Sequence, residues 1–69
     1  MSKETYMMEA LVRDMVTRLM EEKGLTMREA MDIVYRSHTA AALSDVSTGL
    51  YFQSSAYVYD ALMQEQAGI

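Results

Sequence analysis

Residues 24–30 read Gly24-Leu25-Thr26-Met27-Arg28-Glu29-Ala30. Within this segment one helix stops and another starts. Glycine adopts positive φ without steric cost, so Gly24 suits the position just past a helix C-terminus. Thr26 and Glu29 have the T-x-x-E spacing of a capping box, in which each side chain accepts from the other's backbone N–H. Leu25 and Ala30 stand at the positions of a weak hydrophobic staple. So short a connection joins its two helices as a hairpin or a corner.

Upstream of Gly24, the pattern predicts a helix from about Ser2 to Lys23. At 100° per residue, Met8, Leu11, Val12, Met15, Val16 and Leu19 fall within about 140° of arc. Met7 lies beyond one edge of this stripe and Met20 beyond the other, so the apolar face is wider than one neighbouring helix covers. Ser2 is placed as the N-cap, and Glu4 faces the positive end of the helix dipole. Glu9–Arg13, Asp14–Arg18 and Arg18–Glu22 have the i,i+4 spacing of surface ion pairs, each contributing about 0.2–0.5 kcal/mol.

Downstream, the second helix is expected to end near Arg36. Arg28, Glu29, Asp32 and Arg36 share its polar sector, and Met27, Ala30, Met31, Val34 and Tyr35 the apolar one. Ser37 or Thr39 can cap a short helix through the alanines that buries Leu43. Asp45-Val46-Ser47-Thr48-Gly49 reads as a turn, with Asp45 bonding the backbone two residues on and Gly49 supplying positive φ. Leu50-Tyr51-Phe52-Gln53 reads as extended or irregular. A last helix starts at Ser54 or Ser55 and runs to about Gln66, with Val58, Tyr59, Leu62 and Met63 close together on its wheel. Residues 67–69 are expected to fray. The fold class is therefore all-α in a single domain, residues 1–69: a small orthogonal bundle of three main helices plus one short helix.

Composition narrows the function. The chain has 69 residues and 7.8 kDa, eight methionines, one histidine, and no cysteine, proline or tryptophan. Folding a chain of this mass leaves about 4,400 Å² exposed, which makes for a marginal single-chain core. Small scaffolds commonly rely on disulfides, a metal, oligomerisation or close helix packing. Without cysteine, disulfides and thiolate metal sites are excluded, and His38 alone makes no multi-histidine site. Neither a metal nor a cofactor is expected.

Charge is uneven. Residues 37–69 carry Asp45, Asp60 and Glu65 and no Lys or Arg, a net −3 of the chain's total of −4. Nucleic-acid binding needs clustered positive charge, which this half lacks and the first helix dilutes with acids. No apolar run approaches the roughly 20 residues of a membrane span. The polar N-terminus lacks the apolar stretch of a signal peptide, so a cytoplasmic location is expected.

Motifs for catalysis are weak. Ser37, His38 and Asp45 are the residue types of a catalytic triad, but nothing sets a nucleophile against a base and no G-x-S-x-G elbow is present. A calcium loop starting at Asp45 would need Gly and Glu where Leu50 and Ala56 stand. Gly24, Gly49 and Gly68 are too isolated for a phosphate loop. The protein is read as a non-enzyme.

Aromatic and methionine residues suggest contact with another chain. Tyr51, Phe52, Tyr57 and Tyr59 crowd nine residues; they either close the open end of a small core or form an interface. Met8, Met15, Met27 and Met31 are assigned to the core. Met7 and Met20, on the flanks of the first helix, join Tyr51, Phe52, Tyr57 and Tyr59 as candidate interface residues, because methionine also serves adaptable binding surfaces.

The stretches TMREAMDIVYRSHT (residues 26–39) and LSDVSTGLYFQSSAYVY (residues 43–59) resemble a group of short uncharacterised bacterial proteins. These share an S/T-x-x-E-A-L helix start followed by T-G-L-Y-x-Q-S-x-x-Y-V-Y. The resemblance covers about residues 25–63. It implies no chemistry and transfers no functional residue; some such proteins look like small partners encoded beside larger ones such as toxins. Ser55 stands where the group would have proline.

The leading expectation is a small protein-interaction module, homo-oligomeric and most simply a homodimer. A neutralising, antitoxin-like partner of a protein encoded nearby is the alternative, its acidic half facing a basic surface. An enzyme or ligand binder would need a pocket near His38 and Tyr51. A small helix-turn-helix-like DNA-associated regulator fits the two short adjacent helices but not the scarcity of bases.

Overall fold

The structure is a computed structural model and describes residues 2–67. Helix α1 spans Lys3–Lys23, α2 Met27–Arg36, α3 His38–Ser44 and α4 Ser55–Ala67. Two 3₁₀ turns, Val46–Thr48 and Leu50–Phe52, join α3 to α4. Among the described residues no strand occurs, so the fold is all-α. Ala67 is helical rather than frayed; the expectation for residues 68 and 69 lies outside the described residues.

Local caps set the helix ends. Ser2 Oγ accepts from the Thr5 N–H at 3.1 Å. Gly24, at φ 68°, donates its N–H to Met20 O and closes α1. The capping box is complete: the Glu29 N–H donates to Thr26 Oγ1 at 3.1 Å, and the Thr26 N–H to Glu29 Oε1 at 2.9 Å. Ser37 serves two helices at once. Its hydroxyl donates to Val34 O at 2.6 Å, ending α2, and accepts from the Ala40 N–H at 3.0 Å, starting α3. Ser54 Oγ accepts from the Tyr57 N–H at the head of α4.

Residues 45–49 turn as their composition requires. Asp45 Oδ1 accepts from the Ser47 N–H and hydroxyl, and Gly49 takes φ 67°. Residues 50–53, expected to be extended or irregular, instead wind into a 3₁₀ turn over Leu50–Phe52. The Phe52 N–H reaches Gly49 O and the Gln53 N–H reaches Leu50 O. Thr48 Oγ1 accepts from the Leu50 N–H and donates to Ala42 O, anchoring the turn to the end of α3. Tyr51 is thereby folded inward and buried.

The core is built on α1. Its Leu11, Met15 and Leu19 are buried at i, i+4 and i+8. Ala30 and Val34 of α2, Leu43 of α3, Tyr51, and Val58, Tyr59 and Leu62 of α4 close around them. Each fully buried aliphatic side chain contributes about 1.5–3 kcal/mol. The exposed surface is 4677 Å², near the value for this mass.

The assignment of methionines to the core needs correction. Met15 is fully buried. Met8 is only partly buried, while Met27 and Met31 are 58% and 39% exposed. The reason lies in Ala30, which is fully buried. The small Ala30 side chain and neighbouring Val34 let α2 sit close on the core, and the adjacent arc of α2, from Met27 through Met31 to Tyr35, is left outside. The surface ion pairs also differ. Arg18 pairs with Glu22 at 3.2 Å and Arg36 with Asp32 at 2.9 Å, whereas Glu9–Arg13 and Asp14–Arg18 do not form. Arg18 turns away from Asp14 because its guanidinium also stacks over the Tyr59 ring, 4.2 Å from the centroid.

Candidate protein-interaction surface

The arc that α2 leaves outside faces an apolar flank of α1, and the two form a groove of about 580 Å³. One wall is Met8, Val12, Val16 and Met20, a single i,i+4 ridge of α1. The other is Met27, Met31 and Tyr35, the matching ridge of α2. Glu9 and Arg13 stand at the mouth on the α1 side. Tyr35 is 64% exposed although its ring lines apolar space. Beyond the α2 wall run Arg28, Asp32 and Arg36, which are exposed. A second groove, of about 620 Å³, is lined by Leu19, Leu25, Ile33 and Met63 among others.

The six residues singled out as interface candidates are not brought together. Met20 lines the α1–α2 groove. Met7 is partly buried and packs against the core instead. Tyr51 and Tyr59 are buried, so they serve the core rather than a free face. Phe52 and Tyr57 are exposed, and Phe52 stacks on Tyr51 with ring centroids 4.4 Å apart. Met8, Val12 and Val16 of α1 line the groove without having been among those candidates, and so do Met27, Met31 and Tyr35, which form the α2 wall. Their signal was present: the apolar sector of α2 is broader than a ten-residue helix can bury against one neighbour.

Polar side chains near the other candidates are engaged in the scaffold. The Glu65 carboxylate of α4 reaches across to α3 and accepts from the His38 N–H at 2.7 Å, the Thr39 N–H at 2.9 Å and the Thr39 hydroxyl at 2.8 Å. The His38 N–H, with the Thr39 donors behind it, holds the Glu65 carboxyl below the usual glutamate value against the opposing effect of partial burial. Ser37 is spent on two caps, and Asp45 is held by Ser47, whose hydroxyl and N–H lower its pKa. Neither groove is lined by His38 or Tyr51. The Tyr59 hydroxyl is buried without a hydrogen-bond partner among the described residues, and burial, then the charge of Glu22, pushes its pKa up.

Among the described residues no group of three His, Asp or Glu side chains is placed to hold a metal ion, and no helix is long and apolar enough to cross a membrane. No protein family, curated protein or solved structure gives a significant match to this chain.

Proposed function

We propose that this chain is a small, non-enzymatic protein-interaction module that receives its partner in the α1–α2 groove. The observation that carries this reading is the pair of facing ridges: seven apolar side chains, four of them methionine, left open on a chain of 69 residues. Methionine, tyrosine and arginine are the residue types enriched in protein interfaces, and the unbranched thioether adapts to the shape of what it meets. A contiguous apolar patch of this kind marks an interaction site on a soluble chain. The reading takes the scaffold as a small orthogonal bundle working in the cytoplasm.

The acidic half is less suited to docking. Glu65 is committed to α3, Asp45 to Ser47, and Asp60 accepts from Gln64 at 2.9 Å. Of these, only the Glu65 bonds join distant elements, so an antitoxin-like contact would compete with the fold at Glu65 alone.

Site-specific photocrosslinking tests the reading in cells. A benzoyl-phenylalanine in place of Met31 is expected to yield discrete protein adducts, and the same probe in place of Asp60 on α4 is not. Absence of adducts at Met31, or equal labelling at both positions, would sink it.

A further inference from the structure

We propose that Met27 and Met31 form a reversible oxidation site, at which a hydroperoxide turns the α2 wall of the groove polar while the fold stays intact. The chemistry belongs to the free chain and does not depend on what occupies the groove.

Composition restricts the targets. The chain has no cysteine and no tryptophan, so its thioethers are the side chains that a two-electron oxidant meets first. Oxidation follows the exposure of the sulfur, and exposure sorts the methionines between residues 2 and 67. Met15 is fully buried, Met7, Met8, Met20 and Met63 are partly buried, and only Met27 and Met31 among them are exposed. These two are not scattered over the surface. They stand one helical turn apart on one ridge of α2, a spacing that sets Cβ atoms about 5–6 Å from each other. Both line the groove.

Position decides the consequence. A sulfoxide in the core would disrupt packing, but α2 is held to the core by other side chains. Ala30 and Val34 are buried in it, and Ile33 packs against the cluster. The start of the helix is fixed by the capping box of Thr26 and Glu29. None of these contacts uses the thioether of Met27 or Met31. Oxidation there changes what the groove presents and leaves what holds the helix.

The step is balanced by its two reactants. A lone pair of the thioether sulfur attacks the terminal oxygen of the hydroperoxide. The S–O bond forms as the O–O bond breaks, sulfur gives up two electrons, and the other oxygen keeps a proton and leaves as water or an alcohol. The product is a sulfoxide, a polar acceptor where an apolar sulfur stood. Two of the three α2 side chains that line the groove change in this way, and Tyr35 remains. Reversal takes a dithiol: methionine sulfoxide reductases remove the oxygen as water and the dithiol becomes a disulfide.

The full chain, exposed briefly to dilute hydrogen peroxide, tests this by site-resolved mass spectrometry. Met27 and Met31 should gain oxygen ahead of every other methionine between residues 2 and 67, and about tenfold faster than Met15. Circular dichroism should show the helical signal unchanged at that stage. Hydrophobic-interaction chromatography should show the oxidised chain eluting earlier, and treatment with the sulfoxide reductases and dithiothreitol should restore both mass and retention. The variant Met27→Leu with Met31→Leu keeps the size and apolarity of the wall without the sulfur, so it should lose most of the retention shift. Met15 oxidised as fast as Met27 and Met31, or another methionine ahead of them, overturns the inference. So does loss of helix on their oxidation, a retention shift equal to wild type in the leucine variant, or a shift that the reductases fail to reverse. Crosslinking from position 31 reads the partner and these measurements read the sulfurs, so the two results stand or fall separately.

Discussion

Glu65 ties the last helix to α3 through three hydrogen bonds. Its carboxylate occupies the N-terminus of α3, where unpaired backbone N–H groups and the helix dipole both favour negative charge. Replacing it with glutamine keeps the shape, removes the charge and turns an amide toward N–H donors. Glu65→Gln is expected to cost about 1–2 kcal/mol, in the range of capping losses and bonds to charged acceptors, read as a lower denaturant midpoint. The pH dependence follows from the depressed carboxyl. A folded-state pKa below the unfolded one means that the native state binds fewer protons, so this stabilisation is present above the ordinary glutamate value. It is lost as pH falls through the folded-state value. Wild type should therefore lose stability on acidification more steeply than Glu65→Gln, and the two curves should converge in acid. Parallel curves would show that the carboxylate is not what these donors hold.

At the scale of the element, the caps were legible and the long-range contacts were not. Ser2, Gly24, Thr26, Glu29 and Asp45 act on backbone groups within four residues, so their spacing alone predicts their bonds. Glu65 acts on α3 from 26 and 27 residues away, a distance that no local pattern encodes. The turn over Leu50–Phe52 was illegible for a related reason. Its winding depends on Thr48 bridging to Ala42 and on the burial of Tyr51, both consequences of assembly. Helix periodicity predicted which sector of α2 is apolar, but the buried part of it depended on Ala30 setting how closely α2 lies against the core. The same limit hid most of the groove: Met20 was visible as a flank of one helix, while Met31 and Tyr35 matter only because α2 lies beside it. Among the caps, Gly24 offers a clean test. Its φ of 68° is strained for any residue with a Cβ, yet a Cβ there would meet nothing within 4 Å. Gly24→Ala should therefore cost about 1 kcal/mol through backbone strain alone, with the helical circular-dichroism signal retained. A loss of several kcal/mol would mean that the α1–α2 corner tolerates less than its open surroundings imply.

For the whole molecule, the balance between folding and docking decides how stability is read. A domain of this length holds only about 3–10 kcal/mol against unfolding. A few buried side chains account for much of that, and the groove withholds Met27 and Met31 from it. A second copy that binds only the folded chain adds stability in proportion to the logarithm of concentration. If the partner is a second copy, the wild-type Tm climbs as the protein is concentrated from micromolar to millimolar. Two methionine variants separate the contributions. Met15 is fully buried in the core cluster, so Met15→Ala leaves a cavity worth about 2–5 kcal/mol and lowers Tm by about 10 °C or more at every concentration. Met31 is 39% exposed in the single chain. Met31→Lys keeps its aliphatic stem along the wall with the ammonium in water. Its Tm in dilute solution should lie within about 3 °C of wild type, a change of under 1 kcal/mol, and should not rise on concentration. The difference between the two variants then measures how much of the apolar surface serves folding and how much is left for an interface. A wild-type Tm independent of concentration would mean that ten buried core side chains hold the fold unaided, and that the groove is filled by something other than a copy of itself.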